Sequence, residues 1–169
     1  ASRRAEPAGI ESELQKHREV HRVDWPATLE GGDVLRLGRT LLTGVSSRTN
    51  RAGVNALEGI VRRYGYRVVP VPVHQCLHLK TACTALPDQR LLLNPAWLEM
   101  EALRGFDWLR VPEDEPWAGN VLLAGESVCL DSSHAQTTDM IRSQGFDVRT
   151  VDLSEFAKAE GGVTRVLLL

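Results

Sequence analysis

The spacing of apolar and polar positions divides the chain into short strands and a few helical stretches. The first group begins with two alternating strands joined by a turn at Gly38 and Arg39. Asn50 then caps a helix whose apolar residues recur at helical spacing, and Gly65 lies just past its end. A third strand follows. The predicted elements are strands 33–38 and 40–45, helix 50–61 and strand 66–71.

The same order of elements recurs twice downstream. The second group is predicted to hold strands 79–85 and 90–94, a short helix 95–103 and strand 107–111. The third holds strands 120–125 and 127–131, helix 134–144 and strand 146–151. A helix within 9–20 precedes these groups, and helix 154–159 and strand 162–169 follow them. A repeat of about 40 residues predicts an architecture such as a propeller, because each strand group alone has too little apolar area.

Composition is that of an ordinary globular chain. The 169 residues suit one domain over 1–169, with residues 1–26 as a polar lead-in. A net charge of −2 gives no reason to expect nucleic acid or an anionic membrane as partner. No apolar run approaches the ~20 residues of a membrane span. Three cysteines without zinc-site spacing predict reduced thiols and a cytoplasmic protein.

Chemically active side chains fall at the predicted edges of these groups. Glu30 and Asp33 stand at a strand entry, Arg48 at a strand exit and His78 at the head of a predicted strand. Groups arranged around an axis would bring these edges together. A carboxylate pairs with a planar guanidinium, an arginine with a carboxylate, and histidine transfers protons near neutrality. Together they suit a small zwitterion that carries a guanidinium, and the glycines beside Glu30 would let it approach closely.

Four segments carry a resemblance to a known family. They resemble, in order and at compatible spacings, the dimethylarginine dimethylaminohydrolases, which are guanidino-modifying penteins like arginine deiminase and glycine amidinotransferase. The resemblance extends from about Pro26 to the end of the chain. It implies an α+β fold, a pentein α/β propeller of five ββαβ units of which this chain holds about three. The segments are Thr28-Leu29-Glu30-Gly31-Gly32-Asp33-Val34-Leu35, Ser47-Arg48-Thr49-Asn50, Leu77-His78-Leu79-Lys80 and Gly162-Val163-Thr164.

The resemblance also implies an activity. A cysteine thiolate attacks the guanidinium carbon of a methylated arginine, dimethylamine leaves, and water releases citrulline, without metal or organic cofactor. Glu30 would bind the guanidinium and orient His78, which would protonate the leaving amine and then activate water. Arg48 would bind the α-carboxylate, and the backbone carbonyl of Ala159 would accept from the α-amino group. Asp33 would either contact the substrate or accept backbone N–H groups behind the site.

Two departures from the family pattern change the expectation. The nucleophile should follow Val163-Thr164, but Arg165 stands there, and a guanidinium that stays protonated cannot attack. Arg165 could instead imitate the substrate by pairing with Glu30. Cys76 would share a strand face with His78 but does not occupy the matching position. The family also carries about two further units upstream of the matching segments. A propeller without them would leave strand edges unpaired, so we expect another copy or additional N-terminal units to cover these edges.

Three functional hypotheses therefore remain open. The first is a dimethylargininase-type hydrolase that is inactive in this chain. The second is a non-catalytic remnant that binds a guanidino ligand or a partner chain. The third is a relative of arginine deiminase or the amidinotransferases. Against all three stand simpler roles: Glu30 and Asp33 as turn acids, and Arg48 as a surface pair worth under ~1 kcal/mol.

Overall fold

Nine strands form three separate sheets in the part of the chain that the structure describes. This computed structural model describes residues 6–158 and 161–166, with side chains for 10–158 and 161–164. Each sheet holds three consecutive strands in sequence order. The strands are β1 (Val34–Leu37), β2 (Thr40–Val45), β3 (Arg67–Pro72), β4 (Cys83–Ala85), β5 (Leu91–Leu93), β6 (Trp108–Arg110), β7 (Leu122–Ala124), β8 (Ser127–Asp131) and β9 (Asp147–Val151).

All three sheets share one topology. The first two strands of each sheet are antiparallel, and the third lies parallel to the second. A parallel neighbour requires a crossover, which α2 (Arg51–Val61) supplies in the first unit and α4 (Ala135–Ser143) in the third. The leading strands contact one another in succession, β1 with β4 and β4 with β7. The predicted mixed fold of about three repeated units, consistent with a partial propeller, is confirmed.

The middle strand of the second sheet joins the three units into one core. All three residues of β5 are fully buried. Leu91 and Leu93 belong to an apolar cluster shared with the first sheet, whereas Leu92 belongs to a cluster shared with the third. This division follows from the two-residue side-chain period of a strand. Each buried leucine contributes about 1.5–3 kcal/mol, so packing between units supplies much of the stability of each.

One predicted strand is wrong over its first half. Residues 79–85 show strand-like apolar spacing, but Leu79–Ala82 forms the short helix α3, and only Cys83–Ala85 is extended. The Leu79 N–H donates to Asp33 Oδ1 at 2.9 Å, and the Thr81 N–H donates to the His78 carbonyl. A carboxylate distant in sequence therefore accepts a hydrogen bond from the first N–H of this helix. His78 consequently stands at the N-cap position of α3 and not at the head of a strand.

The helix predicted over 95–103 is also interrupted. Two 3₁₀ turns, Pro95–Trp97 and Met100–Leu103, replace it. Between them Leu98 is extended and forms a β-bridge with Val73 of the first unit. The backbone N–H of Glu99 also donates across the units, to the Pro72 carbonyl. Pairing with a neighbouring unit thus overrides the local helical preference.

The two ends differ from prediction as well. The first helix, α1, spans Glu6–Leu14 and so ends before the predicted limit near residue 20. Helix α5 spans Ser154–Ala157, and the predicted last residue of that helix, Ala159, lies outside the described residues. The strand predicted over 162–169 is wrong where the chain is described, because Val163–Val166 forms a helical turn, α6. No described helix is long and apolar enough to span a bilayer.

Candidate active site

An open cleft of about 1430 Å³ lies where the edges of the three units meet. Its walls include Glu30 and Gly32 from the first unit, His78 from the start of the second, and Asn120 and Thr164 beyond them. This volume exceeds the ~300–1,000 Å³ of an ordinary ligand pocket. A smaller cavity of about 260 Å³ beside Asn94 and Arg110 contains none of the predicted site residues.

Glu30 and His78 form the central pair of this cleft. His78 Nε2 lies 2.7 Å from Glu30 Oε2, and the histidine is only 6% exposed. An ionised carboxylate only accepts hydrogen bonds, so the Nε2 atom carries the proton in this pair. Gly32 makes the arrangement possible, since a Cβ there would lie 2.7 Å from the His78 ring. The second of the two glycines after Glu30 therefore makes room for the His78 ring.

Asp33 is fully buried behind that pair. Its Oδ2 accepts from Ser46 Oγ at 2.8 Å and Thr49 Oγ1 at 2.7 Å, and its Oδ1 accepts from the Leu79 N–H. Thr49 Oγ1 in turn accepts from the Glu30 N–H at 3.0 Å. One carboxylate thus connects the strand entry at Glu30, the loop before α2 and the start of α3. This geometry favours the structural alternative for Asp33 over direct ligand contact.

Arg48 follows Ser47 of the cleft wall, in the loop that Asp33 holds. Its backbone N–H donates to Ser46 Oγ at 3.0 Å, and Ser46 donates onward to Asp33. The side chain is 44% exposed and places Nη1 3.9 Å from Glu30 Oε1. One oxygen of Glu30 therefore faces the histidine, and the other faces a guanidinium.

The opposite wall depends on Asn120. Its Nδ2 donates to the Lys80 carbonyl at 2.6 Å and to Thr164 Oγ1 at 2.7 Å. A Cβ on Gly162 would lie 2.3 Å from Asn120 Oδ1, so glycine is required there. These contacts hold α6 against α3 and along the cleft. The predicted strand is replaced here by this helical turn.

A family model described as arginine deiminase matches residues 10–121 of the chain. This match covers well over half of the sequence, and the Glu30–His78 pair and Arg48 lie within it. The chain belongs to the arginine deiminase family.

The family relatives with curated names point to one branch. An N(G),N(G)-dimethylarginine dimethylaminohydrolase of Streptomyces coelicolor is 42% identical over 166 residues, which cover 96% of this chain and 63% of that relative. The enzyme of the same name from Pseudomonas aeruginosa is 32% identical over 165 residues, which cover 96% of this chain and 65% of that relative. The chain therefore spans just under two thirds of the length of these relatives.

Solved structures agree with the family assignment. The Pseudomonas aeruginosa dimethylarginine dimethylaminohydrolase, a cysteine-to-serine mutant complexed with citrulline, superimposes with a TM-score of 0.85 at 31% identity. The match covers 97% of this chain and 65% of that one. The cyanobacterial arginine dihydrolase ArgZ, at 22% identity and a TM-score of 0.82, shares the fold. The dimethylargininase-type pentein expected from the sequence motifs is confirmed.

The position expected for the family's nucleophile lies in α6. Arg165 belongs to this helical turn, between Thr164 on the cleft wall and Val166, while its side chain is outside the described part. Ala159, whose carbonyl was expected to accept from the α-amino group, lies outside the described residues altogether. The predicted roles of both residues remain predictions.

The cysteines of the chain are held as thiols. Burial raises the pKa of Cys76 to about 11, against a backbone hydrogen bond with His78 that lowers it, and the charge of Asp33 adds to the rise. The thiol also donates to the His78 carbonyl at 3.4 Å. Burial also raises the pKa of Cys83 and of Cys129. Because the thiolate is the nucleophilic form, none of these groups is activated near neutral pH. Cys76 also lies in a bend and not on the strand that the sequence suggested.

Several polar residues of the cleft wall escaped the sequence analysis. Lys80 is half-buried; burial lowers its pKa, and the Asp33 charge partly opposes that shift. Trp117 is 54% exposed and packs edge-on against Trp97 at 4.6 Å. Lys80 belongs to the Leu77–Lys80 motif and could have been predicted from it. The remaining residues of the cleft wall could have been predicted from the rule that chemically active groups lie at unit edges. These others are Trp117, Asp131, Ser133 and His134.

Proposed function

We propose that this cleft binds an N-methylated arginine, with Glu30 on the guanidinium and Arg48 on the carboxylate. The observation that carries the proposal is the Glu30–His78 contact of 2.7 Å on the cleft wall, with Arg48 Nη1 3.9 Å from Glu30 Oε1. A carboxylate can accept the paired N–H groups of a guanidinium. Glu30 is suited to this task because its side chain is 30% exposed and the adjacent Gly31 has open space around its Cα.

The reaction we assign to this type of site is the hydrolysis of dimethylarginine to citrulline and dimethylamine. A cysteine thiolate adds to the guanidinium carbon, and the C–N bond to dimethylamine breaks as His78 supplies a proton to the leaving nitrogen. Water then attacks the same carbon, His78 takes its proton, and the thiolate leaves as citrulline forms. Two relatives named for this activity support the assignment, as does a solved structure of the same fold that is complexed with citrulline.

In the present chain we propose binding without turnover. Arg165 stands at the position expected for the cysteine, and its guanidinium stays protonated and cannot form the covalent bond. Cys76 does not replace it, because its thiol donates to the His78 carbonyl and has a pKa of about 11. In a hydrolase, loss of the nucleophile removes about 10⁶-fold of the rate.

Replacing Arg165 tests this reaction directly. We expect Arg165→Cys to form citrulline and dimethylamine from dimethylarginine, since the variant restores a thiol at the position where the family pattern has its nucleophile. Arg165→Ser is the matched control, because it removes the same cation without adding a thiol, and it should form neither product. Citrulline and dimethylamine are measured by mass spectrometry. If folded Arg165→Cys binds dimethylarginine but releases no citrulline, the proposed reaction is wrong.

A second candidate is the deimination of unmethylated arginine, which the description of the matching family model favours. The two reactions share the attack on the guanidinium carbon and differ only in the leaving group, ammonia or dimethylamine. Measuring the Arg165→Cys variant with arginine and with dimethylarginine under the same conditions distinguishes the two reactions. Faster citrulline formation from dimethylarginine supports the first assignment, and faster formation from arginine supports the second.

A further inference from the structure

One large aromatic side chain of the cleft wall is exposed to solvent. Trp117 lines the cleft and is 54% exposed, whereas Trp97, against which it packs, is only 9% exposed. The two rings meet edge-on, with their centroids 4.6 Å apart and their planes at 66°. Because aromatic pairs favour this arrangement, the contact restricts the orientation of the Trp117 ring. Trp117 therefore presents a fixed aromatic surface to the cleft.

The backbone around Trp117 is fixed as well. The carbonyl of Pro116, just before it, accepts from Asn94 Nδ2 at 3.1 Å. The carbonyl of Trp117 itself accepts from the Asn120 N–H at 3.3 Å. These hydrogen bonds limit how far the loop can carry the indole away from the cleft wall.

This indole lies on the side of the cleft that holds His78. The carbonyl of its ring partner, Trp97, accepts from the N–H of His74, upstream of His78, at 2.8 Å. Downstream of His78, the Lys80 carbonyl accepts from Asn120 Nδ2 at 2.6 Å. The segment that carries His78 is therefore attached on both sides to the residues that hold the indole.

The reaction proposed above puts the methyl groups of the ligand on this same side. His78 supplies the proton to the leaving dimethylamine, so the nitrogen that carries the methyl groups must face His78. That nitrogen has no N–H to donate and carries two apolar groups, yet it belongs to a cation. An aromatic face suits both properties, because it attracts a cation and packs against methyl groups. An unmethylated guanidinium instead presents N–H groups that need oxygen acceptors.

We propose that Trp117 contacts the methyl groups of the ligand and so favours a dimethylated guanidinium over an unmethylated one. This role rests on the proposed function, because the orientation of the ligand follows from the Glu30–His78 pair. Trp117 is thus a specificity-determining residue, and it bears on the choice between the two candidate reactions. A contact to methyl groups is of no use in the deimination of unmethylated arginine.

The ratio of two affinities tests this role. Nω,Nω-dimethylarginine and arginine are titrated calorimetrically into the unaltered protein and into Trp117→Gln, which replaces the ring with a polar side chain. We expect dimethylarginine to bind the variant about two- to fivefold more weakly, the effect of losing an exposed cation–aromatic contact. Arginine should bind with little change, because the glutamine oxygen accepts from its N–H groups.

Two further variants control this comparison. Trp117→Phe keeps an aromatic ring at the same position and should retain most of the preference for dimethylarginine. Trp108→Gln removes an exposed tryptophan that does not line the cleft, so it should change neither affinity.

A merely structural role for Trp117 would weaken both ligands equally, and an unchanged affinity ratio in Trp117→Gln would overturn the proposal. Tryptophan emission gives a second readout that needs no polar substitution. Saturating dimethylarginine should shift the emission of the unaltered protein to shorter wavelength, because it covers Trp117, and Trp117→Phe should lack this shift. The same shift in both proteins, or none in either, would also overturn the proposal. If the unaltered protein binds neither ligand, the proposed function itself fails.

Discussion

At the scale of single residues, the geometry of the cleft depends on a carboxylate that does not line it. Asp33 accepts from Ser46, Thr49 and the Leu79 N–H, and so fixes the loop of Arg48 and the helix that begins after His78. Gly31 and Gly32 separate Glu30 from Asp33, and the Glu30 N–H donates to Thr49 Oγ1, which belongs to the same hydrogen-bond network. The two acids Glu30 and Asp33 therefore have different roles: Glu30 lines the cleft, and Asp33 holds the segments around it.

Substitution of Asp33 should be costly for stability. Asp33→Asn removes the charge that strengthens three hydrogen bonds, two of them buried, and turns an N–H₂ group toward at least one donor. We expect it to lower the free energy of unfolding by about 2–4 kcal/mol, measured by urea denaturation followed by circular dichroism. Asp114→Asn, at an exposed position, should stay within about 0.5 kcal/mol of the unaltered protein. Equal stability of the two variants would show that the Asp33 network contributes little.

At the scale of elements, two helices begin on carboxylates supplied from elsewhere in the chain. The Asp33 carboxylate accepts from the first N–H of α3, and the Glu115 carboxylate accepts from the N–H groups of Gln136 and Thr137 at the start of α4. Thr137 Oγ1 adds a third hydrogen bond to Glu115 at 2.6 Å. Such partners satisfy the N–H groups that a helix leaves unpaired at its start.

Acid should weaken the start of α4 through Glu115. Burial alone would raise the pKa of Glu115, but the hydrogen bonds from Thr137 and Gln136 outweigh it, and the pKa lies below its ordinary value of 4.5. A carboxylate with a depressed folded-state pKa stabilises the protein above its unfolded-state pKa, and this stability is lost as pH falls through the folded-state pKa. The Glu115 contribution should therefore be complete above about pH 4.5 and decline below it.

The comparison of Glu115→Gln with the unaltered protein measures that contribution. Near pH 7 the variant should be less stable by about 1–3 kcal/mol, because its amide turns N–H groups toward backbone donors. The difference should shrink in urea titrations as the pH is lowered from 5 to 3. Glu126→Gln, in the exposed turn between β7 and β8, should show no such difference. A stability difference that stays constant down to pH 3 would contradict this role.

The same elements show what the sequence can and cannot predict. Strands β1 and β2 and helix α2 were predictable because their signals are local: alternation, a short turn and the Asn50 cap, whose Oδ1 accepts from the Gly53 N–H at 2.8 Å. Helix α3 was not, because its stabilising partner is Asp33, 46 positions away from Leu79. The break at Leu98 was not predictable either, since it depends on pairing with Val73 in another unit.

At the scale of the whole molecule, the cleft exists because three similar units pack around β5. Each unit brings different side chains to the cleft: the first brings Glu30, the second His78 and Lys80, and the third Asp131 and His134. The repeat of elements and the family motifs predicted which residues would matter. The approach of Arg48 to Glu30 could not be predicted, because it depends on a side-chain rotation within a loop held by buried hydrogen bonds.

The central claim is that Glu30 binds a guanidinium in this cleft, and a calorimetric titration with Nω,Nω-dimethylarginine tests it most directly. We expect saturable one-to-one binding to the unaltered protein and at least about tenfold weaker binding to Glu30→Gln, since the neutral amide loses the charge-assisted pair. Glu58→Gln, at an exposed position on α2, is the matched control and should bind like the unaltered protein. Absence of binding, or equal binding to Glu30→Gln, would contradict the account.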